Sequence, residues 1–430
     1  MLVFILNAWH HAFAEATRAN LAHIAPSWSI EFIGDQAALS MNKRLQPYTE
    51  RFFITLQAGD LLHPNFVTEL DDRLAVMPER CAGLIYERAH SEQPGTPLVW
   101  RTSAVQEENG SLFPERDQLP FDAFALFDHM LQLQSQWSWT SCQSNWWKPQ
   151  RLHSPAWRHM QQERQLIGPI LNAGSSNNTI PQTSNQPDFS VVISTYNNAD
   201  YLPWAIRSVQ AQDCANWELI IVDDASTDST PHKLAALPAD PRFRIYTNAS
   251  NLGKSHSLNL ALSVCKATWL LELDADDWLS PHSLSTFRKQ AATSPETALL
   301  YADHHEWTER VRGKLIYSGV RTAPANIQPD VLLQRALPVA PRCYRTDVLH
   351  ELQGWRMDVP HDGRLYEDFE ILIRLSAHSP THYVPQPLYH RRVRASSITQ
   401  QNADKYAAWK SWMIGQSSRN LEEGGNSHRR

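Results

Sequence analysis

Two aspartates one residue apart, Asp274 and Asp276, close the apolar run of WLLELDADDWLSP, residues 269–281. Side chains alternate with period two along a strand, so two carboxylates spaced this way point to one side and can share a hard cation. Mg²⁺ or Mn²⁺ takes oxygen ligands of this kind, keeps several waters and is commonly completed by substrate phosphates. Asp223 and Asp224 end a second apolar run, WELIIVDD, and Glu367 and Asp368 open an amphipathic pattern, YEDFEILIRL. A carboxylate there could take a proton from a hydroxyl that attacks a carbon centre. Blander readings stand beside these: a solvated aspartate cluster, a helix N-cap at DAST, and acids that favour a first helical turn through the dipole.

The elements that must carry these groups alternate regularly. SVVIST (190–195), WELIIVDD (217–224), FRIYT (243–247) and WLLELD (269–274) read as strands, with helical spacing over 201–212 and 255–265. Such alternation predicts an α/β unit with a mostly parallel sheet, its ligands at the carboxyl ends of the strands, where the acids fall. Before it, GPILNAGSSNNTIPQTSNQPD (168–188) has loop composition throughout and reads as a linker. The chain then divides into 1–167, the linker, 189–402 and a C-terminal helix with tail, 403–430.

The ordered set FSVVISTYNN, WELIIVDDAST, NLGKSHSLNLAL, WLLELDADDWLSP and LYEDFEILIRL resembles the inverting family-2 glycosyltransferases, across roughly residues 189–400. That resemblance implies the GT-A nucleotide-sugar-binding fold. It implies nucleoside contacts from Thr195, Tyr196, Asn197, Asp223 and Asp224, with Asp224 accepting a uracil N3–H or ribose hydroxyls. It implies a loop under the nucleotide formed by Asn251, Gly253 and Lys254, where glycine allows close approach and lysine meets phosphate charge; a solvated Lys254 is the alternative. Asp274 and Asp276 match the metal-binding acids, with Ala275 between them at the donor. Asp368 matches the catalytic base, with Glu367 as its neighbour or an acceptor-binding group.

LYHRRVRASSIT (388–399) is similar to the family's closing segment, with Arg392 at a phosphate-contacting position. Arg394 stands where a histidine is common, which removes a metal ligand, since arginine only donates. Ser194 and Ala225 are milder departures from Pro and Gly. The implied partners are a nucleotide-diphosphate sugar, UDP-sugar favoured, and a glycan, lipid-linked or protein acceptor, with Mn²⁺ or Mg²⁺ as cofactor. The implied setting is surface-polysaccharide or glycoconjugate synthesis.

The first part of the chain repeats the second. An offset of 217 puts QAGDLLHP (57–64) on DADDWLSP, and GLIYE (83–87) then meets ALLYA (298–302) with a two-residue shift. An offset of 189 sets Trp28 on Trp217, and one of 245 sets 121–130 on 366–375. In this copy Gln57 and Gly59 replace Asp274 and Asp276, and Asp122–Ala123 replaces Glu367–Asp368; Asp35 alone survives from the nucleoside side. We therefore expect residues 1–167 to be a degenerate tandem copy of the fold, without metal or catalysis, suited to docking, homodimerisation or acceptor binding. Trp137, Trp139, Trp146, Trp147 and Trp157 could stack on sugar rings there or pack in the core.

At 430 residues, with a net charge of −6, the chain lacks the basic balance of a nucleic-acid binder. No run approaches the roughly 18–20 apolar residues of a membrane span. Five scattered cysteines fit a reducing cytoplasm. Tyr406, Trp409 and Met413 form a stripe beside Lys405 and Lys410 that could meet a membrane surface peripherally or pack on its own domain. Two other functions are open: a bifunctional polymerase with two transferring sites, and a catalytically inactive sugar-nucleotide or glycan-binding protein. The intact DADD and ED segments favour an enzyme.

Overall fold

The computed structural model describes all residues except 7–10, 34–36, 88–97, 107–136, 150–161, 164, 171–185, 310–314, 336–338, 395–401 and 427–430. Two compact units result, Met1–Asn177 and Asn178–Arg430. Asp35, Asp122, Ala123, Trp157 and the segment 121–130 lie outside the described residues.

In the second unit the strands are β9 (Phe189–Thr195), β10 (Trp217–Asp223), β11 (Phe243–Thr247), β12 (Trp269–Glu272), β13 (Trp278–Leu279), β14 (Leu299–Glu309), β15 (Leu315–Arg321), β16 (Arg342–Arg345) and β17 (Thr381–Val393). They form one sheet in the order β11-β10-β9-β12-β16-β14-β17-β13, with β15 on β14. β9, β10, β11 and β12 run parallel, β16 is antiparallel to β12 and β14, and β17 is parallel to β14. β9 and β10 are buried along nearly their whole length, as strands covered on both faces must be. One face packs Val191, Ile193, Leu219, Ile221 and Leu271, and the other Val192, Ile220, Val222 and Leu270. This is the alternation of period two read from the sequence.

The first unit has strands β1 (Leu2–Leu6), β2 (Ser29–Phe32), β3 (Phe52–Gln57), β4 (Asp60–Leu62), β5 (Cys81–Glu87), β6 (Leu98–Arg101), β7 (Ser138–Gln143) and β8 (Trp147–Pro149). Its sheet runs β2-β1-β3-β6-β5-β7. That is the order β10-β9-β12-β16-β14-β17 of the second unit, and every pairing has the same sense. β4 pairs antiparallel with β8 as β13 does with β17. With Gln57 set on Asp274, the ladders place Thr55 on Glu272 and its cross-strand neighbour Leu98 on Arg342. They also bring Trp28 onto Trp217, the offset read from the sequence. At β5 the register puts Leu84 on Leu300, one residue away from the sequence alignment of GLIYE with ALLYA. Between β2 and β3 there is room for one helix, Ala37–Leu45; between β10 and β12 the chain builds β11 and the helix Lys254–Val264.

The C-terminal stripe is core. Trp409 and Met413 are buried with Tyr366 and Phe369, and Tyr406 stacks on Trp409. The reading of this stripe as a membrane-facing surface is corrected accordingly: its apolar side chains are spent on their own unit. No helix among the described residues is long and apolar enough to cross a membrane. Trp139 packs edge-on against Trp100, and Trp146 stacks on His63 while staying partly exposed.

Candidate active site

The ends of β9 and β10 lie side by side, with Thr195 opposite Asp223 in the ladder. Asn197 leaves the strand at φ +54°, and its Oδ1 accepts from the backbone N–H of Thr227 at 2.7 Å, tying the two loops together. Asp223 Oδ1 accepts from the Ser226 N–H at 3.1 Å. Its Oδ2 and Thr195 Oγ1 are buried without a hydrogen-bond partner, while Tyr196 is exposed beside them.

Asp224 is committed differently. Its Oδ1 accepts from Leu252 N–H at 2.8 Å and Asn248 Nδ2 at 2.7 Å, and its Oδ2 from Gly253 N–H at 2.7 Å. The carboxylate expected to meet a nucleoside holds the loop 248–253 in shape. Gly253 sits at φ +94°, and a Cβ there would come within 2.9 Å of Arg364 Cγ, so glycine is required twice over. Asn251 is bound by Arg364 through its side-chain oxygen and through its carbonyl at 2.8 Å.

That loop delivers Lys254 at the start of its helix. Lys254 Nζ lies 2.6 Å from Asp274 Oδ1, 2.9 Å from Glu272 Oε1 and 3.2 Å from Glu367 Oε1. Burial would lower its pKa, but the three carboxylates overcome this and hold it well above the ordinary lysine value. Lys254 is thus a part-buried bridge and not a freely solvated lysine. Burial likewise opposes ionisation of Asp274, yet Lys254 and Arg342 keep its pKa well below the usual carboxylate range.

DADD itself lies in a turn beyond the end of β12, so strand alternation does not extend to it: Ala275 is buried in the core, Asp274 faces Lys254 and Arg342, and Asp276 faces Arg394. Asp276 Oδ2 is 2.9 Å from Arg394 Nη2, and its carbonyl accepts from Arg392 Nε at 3.0 Å. The two guanidinium groups lie 4.4 and 4.7 Å from the Tyr201 ring centroid. Asp277 Oδ1 accepts from Arg392 N–H at 2.6 Å. Burial, with Asp276 and Asp274 nearby, pushes the Asp277 pKa well up. Asp274 and Asp276 offer the oxygen donors that a hard cation takes, and both retain partial exposure. Lys254 and Arg394 hold these oxygens in the structure, so an ion would have to compete with them. Among the described residues, no three acidic, histidine or cysteine side chains converge as a closed metal site.

On the opposite wall, Tyr366 at φ +61° turns the chain into the helix Glu367–His378. Burial pushes the Glu367 carboxyl up to about 7; Lys254 opposes this shift, and Asp368 and Glu272 add to it. Asp368 Oδ2 stands 3.4 Å from Arg342 Nη1. Arg342 and Glu272 belong to this cluster of charges, and the sequence reading missed them. Glu272 is the last residue of an otherwise apolar strand, and its partner is 70 residues away in sequence, so only the antiparallel pairing of β12 with β16 joins them.

Residues 190–345 match the family model described as Glycosyl transferase family 2. The succinoglycan biosynthesis protein ExoO of Rhizobium meliloti is 35% identical over 111 residues, covering 26% of this chain and 32% of that protein. The O-antigen biosynthesis protein RfbC of Myxococcus xanthus is 28% identical over 233 residues, 52% of this chain and 17% of that protein. The chain therefore spans a third or less of the length of these two relatives. Among solved structures, S. aureus TarS 1–349 in complex with UDP is similar at 19% identity and a TM-score of 0.39, over 48% of this chain and 61% of that one. With the motifs brought together in the order read from the sequence, residues 190–345 form a domain that matches the family-2 glycosyl transferase model.

Proposed function

We propose that the second unit transfers a glycosyl residue from a nucleotide-diphosphate sugar, with a UDP-sugar favoured, to a hydroxyl of a glycan, lipid-linked or protein acceptor. The setting we favour is cytoplasmic synthesis of surface polysaccharide or glycoconjugate. The observation that carries this reading is the Lys254 bridge, which gathers the donor-side Asp274 and the acceptor-side Glu367 around one ammonium. The polarity of the cleft suits transfer. The unpartnered Thr195 Oγ1 and Asp223 Oδ2 suit nucleoside hydroxyl or N–H groups, and Lys254, Arg392 and Arg394 suit the diphosphate.

Asp368 takes the proton of the acceptor hydroxyl as its oxygen attacks the anomeric carbon, and the bond to the diphosphate breaks on the opposite face. One displacement inverts the centre. Arg392 and Arg394 orient the leaving diphosphate. A Mn²⁺ or Mg²⁺ ion at Asp274 and Asp276 would supply Lewis-acid neutralisation of that charge when bound.

We read the first unit as a degenerate copy of the same fold. Its matching strand order supports this, and Thr55, Gln57, Gly59 and Leu98 at the equivalents of Glu272, Asp274, Asp276 and Arg342 weigh against a second transferring site.

The test is nucleotide release over a panel of sugar nucleotides with Mn²⁺ or Mg²⁺, for the parent and for Asp276→Ala and Asp368→Ala. Release by the parent and its loss in both variants is the expected result. No release from any donor, or full activity in both variants, sinks the assignment.

A further inference from the structure

The ion pair between Glu272 and Arg342 is a costly feature without an obvious structural need. Arg342 Nε and Nη2 reach the two Glu272 oxygens at 3.0 and 2.8 Å, a planar fork on a carboxylate that is only 2% exposed. Nη1 donates to the Val339 carbonyl at 2.9 Å. The same guanidinium stands 3.4 Å from Asp368 Oδ2 and 3.6 Å from Asp274 Oδ2. Glu272 is held further by Lys254 at 2.9 Å and by the Tyr344 hydroxyl at 3.4 Å.

Burying such a pair commonly yields no net stability over apolar residues of similar volume. The chain itself shows an alternative. At the same ladder positions the first unit carries Thr55 and Leu98, with Trp100 in place of Tyr344, and Trp100 Nε1 donates to Thr55 Oγ1 at 3.0 Å. The sheet closes equally well with neutral side chains there. What the first unit lacks is the charge facing Asp368 and Asp274.

We propose that Arg342, clamped by Glu272, is a positioning residue for transfer. It fixes the Asp368 carboxylate against Asp274, so that the acceptor's base and the donor-side acid keep one geometry. Glu272 acts only through Arg342 and Lys254, from beneath the cleft. The proposal rests on the transferase reading given above.

The test uses the full chain with both positions changed to the first unit's residues, Glu272→Thr with Arg342→Leu. Melting temperature, UDP affinity by calorimetry, and kcat and KM for nucleotide release from a UDP-sugar are the readouts. We expect near-parental melting and UDP affinity with donor KM little changed, and kcat lower by roughly 30-fold or more, since loss of alignment in a catalytic pair costs on this order. A folded double variant with parental kcat overturns the proposal. Should the double variant fail to fold, Arg342→Lys decides, because it keeps the charge and loses the fork. A fall in kcat of about fivefold or more at unchanged donor KM supports the role, consistent with lost orientation. Parental kcat in Arg342→Lys overturns it. A parent that releases no nucleotide from any donor brings down the transferase reading, and this one with it; a parent that turns over while both variants match it brings down this one alone.

Discussion

Lys254 Nζ and Asp274 Oδ1 are 2.6 Å apart, although one opens a helix and the other follows the end of a strand 20 residues later. The ammonium also meets Glu272 and Glu367, so it is shared by three acids, of which Glu272 is fully buried. Breaking a buried ion pair leaves uncompensated charge and costs about 3–5 kcal/mol. Lys254→Met should therefore lower unfolding free energy by roughly that amount and abolish nucleotide release. Lys254→Arg should recover part of the stability. Denaturant unfolding reads the difference; an unchanged midpoint for Lys254→Met would show that the bridge does not hold the cleft.

Metal removal tests the competition at Asp276. Its carboxylate faces Arg394 at 2.9 Å, so a divalent ion must displace or outbid a guanidinium. Chelation should lower nucleotide release by about tenfold or more, the loss expected when a Lewis acid is taken from a leaving diphosphate, and Mn²⁺ should restore it. Arg394→His supplies a ligand in place of a cation. It should lower the Mn²⁺ concentration needed for half-maximal release, while Asp276→Asn should raise it. Release unaffected by chelator in parent and Arg394→His alike would rule out a metal requirement.

Much of the cleft was legible in sequence because its groups sit at strand ends, where an apolar run stops at an acid. The runs 217–224 and 269–274 became β10 and β12, which stop at Asp223 and Glu272, and the turn that follows β12 buries Ala275 between Asp274 and Asp276. The offset of 189 agrees with the ladders too, since Trp28 directly precedes β2 as its register on β1 requires of the counterpart of Trp217. What sequence could not supply was long-range pairing. Glu272 looks like one odd residue in an apolar strand until β16 brings Arg342 against it. That Asp224 anchors the loop 248–253 was not legible either, because backbone donors leave no trace in residue types.

Acid should destabilise the second unit through a buried histidine group. Burial holds His304 and His305 at about 4, against an ordinary value near 6.5, with Arg391 adding to the first shift and His282 to the second. Glu306 and Asp303 oppose the shift at His304. His390, stacked on His305, is likewise held well below its ordinary value by burial. The unfolded chain takes up these protons as pH falls through 6.5, while the folded protein resists until about 4. Their stabilisation is complete above 6.5 and is lost on the way down, each site contributing up to about 1.4 kcal/mol per pH unit. Glu367 runs the other way: its carboxyl, raised to about 7, favours the fold below its unfolded value and penalises it as pH climbs through 7. Melting measured at several pH values between 7.5 and 5 should fall toward acid, less steeply in His305→Phe. Glu367→Gln should gain stability mainly at the alkaline end. A flat profile in the parent would contradict the histidine account.

The first unit offers the sharpest test of the degenerate-copy reading, because its turn differs in backbone as well as in side chains. Gly59, at the place of Asp276, has φ +101° and donates its N–H to Thr17 Oγ1 at 2.8 Å, and Asp60 Oδ2 caps the Gln57 N–H at 2.9 Å. Asp276 adopts no such positive φ. A carboxylate at position 59 must enter a region that side chains avoid, at a cost of about 1–3 kcal/mol. Gln57→Asp with Gly59→Asp should therefore destabilise the first unit without creating a cation site. Thr55 and Leu98 still leave it without the charges of Glu272 and Arg342, and the short span between β2 and β3 leaves no counterpart of Lys254 among the described residues. Placed in an Asp276→Ala background, the double change should add no nucleotide release and no Mn²⁺ binding by electron paramagnetic resonance. Release recovered in that background would mean that the first unit keeps a latent site, and that only its two missing acids had silenced it.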